Sequence, residues 1–134
     1  MSDPNTWAKA TVVNDWGGQI TDVYLDHRYD DDHFDKGHWN FIDNGQQGQP
    51  SFAVGYWTGF LRTGKDYWVV RFTDSNGATW TNKPNFYCFL TKDDAGGLVK
   101  CRVKNQTLYI EPPKSSSCTV ALYRIGMGAQ AAAE

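Results

Sequence analysis

Turn-forming clusters interrupt this chain at intervals of roughly 8–12 residues, and no stretch of about 11 residues sustains a helical period. Between the clusters lie short runs rich in β-branched and aromatic residues. That rhythm restricts the chain to an all-β fold, a sandwich or a barrel. The sequence predicts strands over 7–13, 19–29, 38–42, 51–57, 66–73, 78–81, 86–91, 98–104, 107–111 and 118–125. Alternation in Asp22-Val23-Tyr24-Leu25-Asp26 points Val23 and Leu25 to the core and both carboxylates to solvent. Asp74-Ser75-Asn76-Gly77 reads as a hairpin with a type I′ turn, and Asn105-Gln106 as a second, less specific one. Asp93–Gly97 and Pro112–Ser117 read as longer loops.

At 134 residues the chain has the size of one domain. We assign residues 1–126 to it and 127–134 to a C-terminal tail. No apolar run approaches the ~18 residues of a spanning helix. The opening MSDPNTWAKA has neither a basic n-region nor an apolar h-region, so we expect a cytoplasmic protein, or one released without a classical signal peptide. The net charge of −2 gives no electrostatic reason to expect a nucleic-acid partner. Charge is nonetheless uneven. Residues 1–60 hold nine Asp against three Lys or Arg, whereas residues 61–134 hold six acids against ten.

Three cysteines with no Cys-x-x-Cys spacing suit reduced, buried thiols better than a disulfide framework or a zinc site. Cys88, Cys101 and Cys118 are all read as small core residues. A Cys88–Cys101 bridge is the alternative for a chain that leaves the cell. Asn105-Gln106-Thr107 matches a glycosylation pattern, and we read it as a turn.

Residues 27–38 gather all three histidines with four aspartates. Asp30, Asp31, Asp32, His33 and Asp35 are weak candidates for a divalent cation such as calcium, because hard cations want several oxygens close together. With Asp31 as first ligand, however, Lys36 takes the place of the required glycine. A polar turn is the competing role, and no cofactor is expected. Enzymatic chemistry has little support. There is no Gly-x-Ser-x-Gly elbow, and Gly59-x-x-x-x-Gly64-Lys65 continues with Asp66, where a phosphate-binding loop needs Ser or Thr.

Aromatic residues are the stronger signal, with six Trp, seven Tyr and seven Phe. Five of these rings fall between Tyr56 and Trp68, beside Arg62 and Lys65. Inside a strand Tyr67 and Trp68 face opposite ways, so one of them meets solvent. Rings next to cations can stack on sugars or sit at a lipid interface. The candidate ligand-binding set is Trp57, Arg62, Lys65, Tyr67 and Trp68, followed by Trp16 and Trp39. For any one Trp the competing role is core packing.

The blocks Val12-Val13-Asn14, Val23-Tyr24-Leu25-Asp26-His27-Arg28-Tyr29 and Val54-Gly55-Tyr56-Trp57-Thr58-Gly59-Phe60-Leu61-Arg62-Thr63-Gly64-Lys65-Asp66-Tyr67-Trp68 resemble the Pud-type domain. The resemblance covers roughly residues 10–86. Trp57 stands where the family pattern has Asn, and Asp30 where it has Ser. The resemblance implies a single-domain antiparallel β-sandwich like that of the aegerolysins. Those are small acidic proteins that bind particular membrane lipids, some with a separate pore-forming partner. It therefore implies a non-enzymatic protein recognising a lipid head group through aromatic loops, as a homo- or hetero-oligomer. A lectin-like glycan-binding module, cation-assisted, and a self-assembling structural protein are the alternatives.

Overall fold

The computed structural model describes residues 3–60 and 64–126. The described strands are β1 (Thr6–Asn14), β2 (Ile20–Tyr29), β3 (His33–Ile42), β4 (Phe52–Tyr56), β5 (Asp66–Thr73), β6 (Thr79–Thr81), β7 (Leu98–Lys104), β8 (Thr107–Glu111), β9 (Cys118–Ala121) and β10 (Tyr123–Gly126). They form two five-stranded sheets, ordered β4-β1-β7-β8-β9 and β10-β6-β5-β2-β3. Neighbours run antiparallel except β1 and β7, which pair in parallel. The expected all-β sandwich is what the chain forms. The 127–134 tail lies outside the described residues.

One apolar core fills the space between the sheets. The first sheet contributes Ala8, Ala10, Val12, Val54, Tyr56, Val99, Cys101, Val103, Leu108 and Ile110; the second faces them with Val23, Leu25, Trp39, Trp68, Val70 and Phe72. Val23 and Leu25 are buried as their alternation requires, and Tyr24 and Asp22 point outward. On β1 the alternation gives way at Thr11 and Val13, buried like their neighbours. The segment after β3 folds back over that face, with the Thr11 hydroxyl donating to the Gly48 carbonyl at 2.6 Å.

Four expectations change. Strand β3 begins at His33 rather than 38, because its first inward residues are polar and are paired inside the fold. Residues 86–91 form no strand, although they run beside the start of β5. A single backbone bridge joins Tyr67 and Tyr87; beyond it the Asp66 carboxylate accepts the Leu90 N–H at 2.9 Å and the Trp68 indole donates to the Cys88 carbonyl at 3.0 Å, so side chains take over from the ladder. Residues 118–125 divide at Leu122 into β9 and β10, one strand in each sheet. The cysteines also differ from the reduced-thiol reading. Cys88 and Cys118 are joined by a disulfide with Cα atoms 5.8 Å apart, and Cys101 is the free, buried thiol. A Cys88–Cys101 bridge is thereby excluded.

Of the two hairpins read as type I′, one keeps that turn and one does not. In the Asp74–Gly77 turn only Gly77 has a positive φ, +86°, so the turn is type I followed by a left-handed glycine. The Asp74 carboxylate fixes it by accepting the N–H groups of Asn76 and Ala78. Asn105 and Gln106, with φ of 51° and 57°, make the type I′ turn expected there.

Candidate functional site

The inward face of β2 continues past Val23 and Leu25 to His27, which is fully buried. Register sets His27 between Asp35 on β3 and Trp68 on β5. Its Nδ1 lies 3.0 Å from Asp35 Oδ2 and its Nε2 lies 2.8 Å from Asp66 Oδ1. Both ring nitrogens face carboxylates, so the imidazole is held as a cation with the Trp68 ring 4.6 Å away. Burial works against that charge, yet the hydrogen bonds to Asp35 and Asp66 outweigh it and raise the His27 pKa. Asp35 also takes a hydrogen bond from the Gly55 N–H and one from His33. Burial opposes its ionisation, but these bonds and His27 hold its carboxyl below the usual range. His27 is enclosed by the sheets, whereas Asp35 and His33 keep part of their surface in solvent. The network ties β2, β3 and β5 together at the loop-bearing end of the sandwich.

That end is built from three segments. The β2–β3 hairpin is clasped to the start of β5, because the Asp30 N–H donates to the Lys65 carbonyl and the Asp30 carboxylate accepts the Lys65 N–H, both at 2.9 Å. Gly64 packs flat on the Tyr29 ring, where an added Cβ would lie 2.3 Å from a ring carbon. Between the chain after β4 and the chain before the 3-10 turn at Lys92–Asp94 opens a cleft of about 510 Å³. It is lined by Trp57, Thr58, Gly59, Gly64, Phe89, Leu90, Thr91 and Lys92. Trp57 is 8% exposed and its ring lies 5.2 Å from Tyr29. Phe60, beside Gly59 in the chain, is 92% exposed, and Phe89 is 46% exposed. An apolar cleft with Phe89, packed edge-on against Tyr87, and Lys92 in its lining, and with the exposed Phe60 next to Gly59, suits an amphipathic ligand.

The sequence-derived set does not assemble as one exposed patch. Trp68 is wholly buried under the 86–91 segment, and Trp39 is buried with its indole donating to the Pro50 carbonyl. Trp16 is half-buried against Phe72 and Trp80. These three are core residues, the role that competed with binding. Trp57 alone of the tryptophans in the set reaches the cleft. Lys65 and Tyr67 are half-buried on the outer side of the second sheet, with the Lys65 ammonium 4.5 Å above the Tyr87 ring. Arg62 lies outside the described residues.

Sequence reasoning missed Phe89 and Lys92, and it missed the outer face of the second sheet. Parity carried the signal in both places. A buried Cys88 turns Tyr87 and Phe89 outward, just as a buried Leu25 turns Tyr24, Asp26 and Arg28 outward. Across that face the register stacks three rungs, His38–Tyr24–Arg71, Lys36–Asp26–Val69 and Phe34–Arg28–Tyr67. His38 stacks on Tyr24 at 4.4 Å and the Arg71 guanidinium sits 4.7 Å over the same ring. Arg28 lies 4.0 Å over Tyr67 while it bonds to Asp31 and to the Asp30 carbonyl.

The acidic candidates spread apart. Asp30 is taken by the Lys65 backbone, Asp31 by Arg28, and Asp35 by His27, His33 and Gly55. Asp32 is exposed at the hairpin tip. Among the described residues no three His, Cys, Asp or Glu side chains are grouped as metal ligands.

Residues 4–125, which include both sheets and the cleft, match the family model described as up-regulated in long-lived daf-2. The chain belongs to the Pud family. The match runs past the roughly 10–86 block of the sequence resemblance and takes in β7 to β9 with the Cys88–Cys118 bridge. The Pud family model is one of unknown function, so membership brings the fold without a ligand. No curated protein matches the chain.

Proposed function

We propose that this Pud-type chain is a non-enzymatic binding protein that recognises a membrane lipid head group at its loop-bearing end. The observation that carries the reading is the cleft over Trp57. It is apolar at its base, has a cation at Lys92, and is flanked by Phe60 and Phe89 standing in solvent. Exposed phenyl rings cost little in water singly, but two at one rim can enter the interface of a bilayer while the head group occupies the cleft. Lys65 and Lys92 lie on the same end and would meet phosphate. The Asp35–His27–Asp66 network supports the non-enzymatic part of the proposal, since its central imidazole is fully buried.

The glycan alternative has less behind it. Tyr24 is the best-placed ring on the open sheet face, yet His38 and Arg71 occupy it from β3 and β5, on either side of its own strand. A sugar would have to displace one of them to stack there. Co-sedimentation tests the lipid reading, with vesicles of phosphatidylcholine, of acidic phospholipid, and of sphingolipid with sterol. The full chain pellets selectively with one composition, and the double substitution Phe60→Ser with Phe89→Ser cuts the bound fraction at least about 10-fold. A chain that stays in the supernatant with every composition overturns the reading.

A further inference from the structure

The rungs on the outer face of the second sheet enclose a groove of about 530 Å³, lined by Tyr24, Asp26, Lys36, Gly37, His38, Val69, Arg71 and Thr81. It lies on a different surface from the cleft over Trp57, and the two share no lining residue. Its charges are unusual. Among the described residues neither Arg71 nor Lys36 makes an ion pair. Arg71 is nonetheless fixed, because its guanidinium lies over the Tyr24 ring and Tyr24 is braced from behind by His38. Stacking occupies the face of a guanidinium and leaves its in-plane N–H groups free. Lys36 reaches the same groove from the opposite side of β2, one rung away. Asp26 on the groove floor and Asp22, which borders Arg71 at one end, are the opposing charges.

We infer that this groove binds a phosphate monoester. A planar fork and a separate ammonium, approaching from two strands, match an anion with three terminal oxygens. The guanidinium takes two oxygens side by side and the ammonium takes the third. A carboxylate would have to divide its two oxygens between the cations and so give up the paired fit to the guanidinium. Val69 and Thr81 leave room beside the anion for a carrier the size of a single sugar, and the groove volume is that of a small-molecule site. Asp26 limits affinity for the anion, which makes it the most informative residue to change.

The test is an NMR titration of the full chain with inorganic phosphate, a hexose 6-phosphate and the neutral hexose. Saturable shifts centred on Tyr24, Lys36 and Arg71 are expected with the two phosphates and not with the neutral sugar. Arg71→Gln weakens binding about 10-fold. Asp26→Asn tightens it about threefold by removing a like charge, a gain that misfolding cannot mimic. Vesicles containing phosphatidic acid separate the sources of the phosphate. Saturation by the soluble ester identifies a free ligand, whereas an Arg71→Gln effect confined to vesicles assigns the same chemistry to a head group. The absence of saturable shifts and of any vesicle effect, or equal binding by all three proteins, overturns the inference. Phosphate binding should survive Phe60→Ser with Phe89→Ser, so failure of the lipid reading at the cleft leaves this one standing, and the reverse holds too.

Discussion

His27 is the residue on which the loop-bearing end depends. Removing its ring by His27→Ala leaves Asp35 and Asp66 facing each other without the cation between them, a loss of about 3–5 kcal/mol for a broken buried pair. The pH dependence has a definite sign. The folded pKa of His27 is raised, so the folded state holds its proton more tightly than the unfolded chain. Its contribution is fully present below the unfolded value of about 6.5 and is lost as pH rises through the folded value. Asp35, held low, contributes in the opposite sense; its share is lost in acid as pH falls through its folded value. Urea midpoints should therefore fall between neutral and alkaline pH, and His27→Gln should flatten that limb. An unchanged slope in the variant would show that His27 is not the group responsible. This network was half legible in the sequence. Alternation reached Leu25 and, carried one step further, buries His27. That the partners would be Asp35 and Asp66 depends on the register of β2 with both neighbours, and no local pattern encodes register across 39 residues.

Elements show where local signals mislead. Asn-Gly is the strongest two-residue hairpin signal, yet the Asp74 carboxylate caps the turn and leaves only the glycine left-handed. The true type I′ turn carries Gln106 at φ 57°, a conformation that costs a residue with a Cβ about 1 kcal/mol. Gln106→Gly should therefore raise the thermal midpoint, by several degrees at about 0.5–1 kcal/mol for a domain of this size. No gain would mean that β7 and β8 are registered by packing alone. The same lesson applies to 86–91. Its composition is that of a strand, but Asp66 and Trp68 take its backbone groups and hold it as an irregular edge. Strand β3 is the converse, a strand concealed by the polar residues it turns inward.

Seen whole, the molecule is a sandwich whose two sheets are closed by a core, while its candidate ligand surfaces lie elsewhere: one at the loop-bearing end, one on the outer face of the second sheet. The fold class was legible because turn spacing and period-two alternation are local properties. The binding set was not, because exposure is decided by what packs above a strand. Trp68 is covered by a segment 20 residues away that no alternation could place over it. The central claim, that a membrane head group is met at the cleft over Trp57, is tested most directly by hydrogen exchange on the full chain with and without the vesicles that pellet it. Protection is predicted at residues 57–60 and 86–92, with β7 to β9 unchanged. Protection confined to any other surface, or none on bound protein, would contradict it.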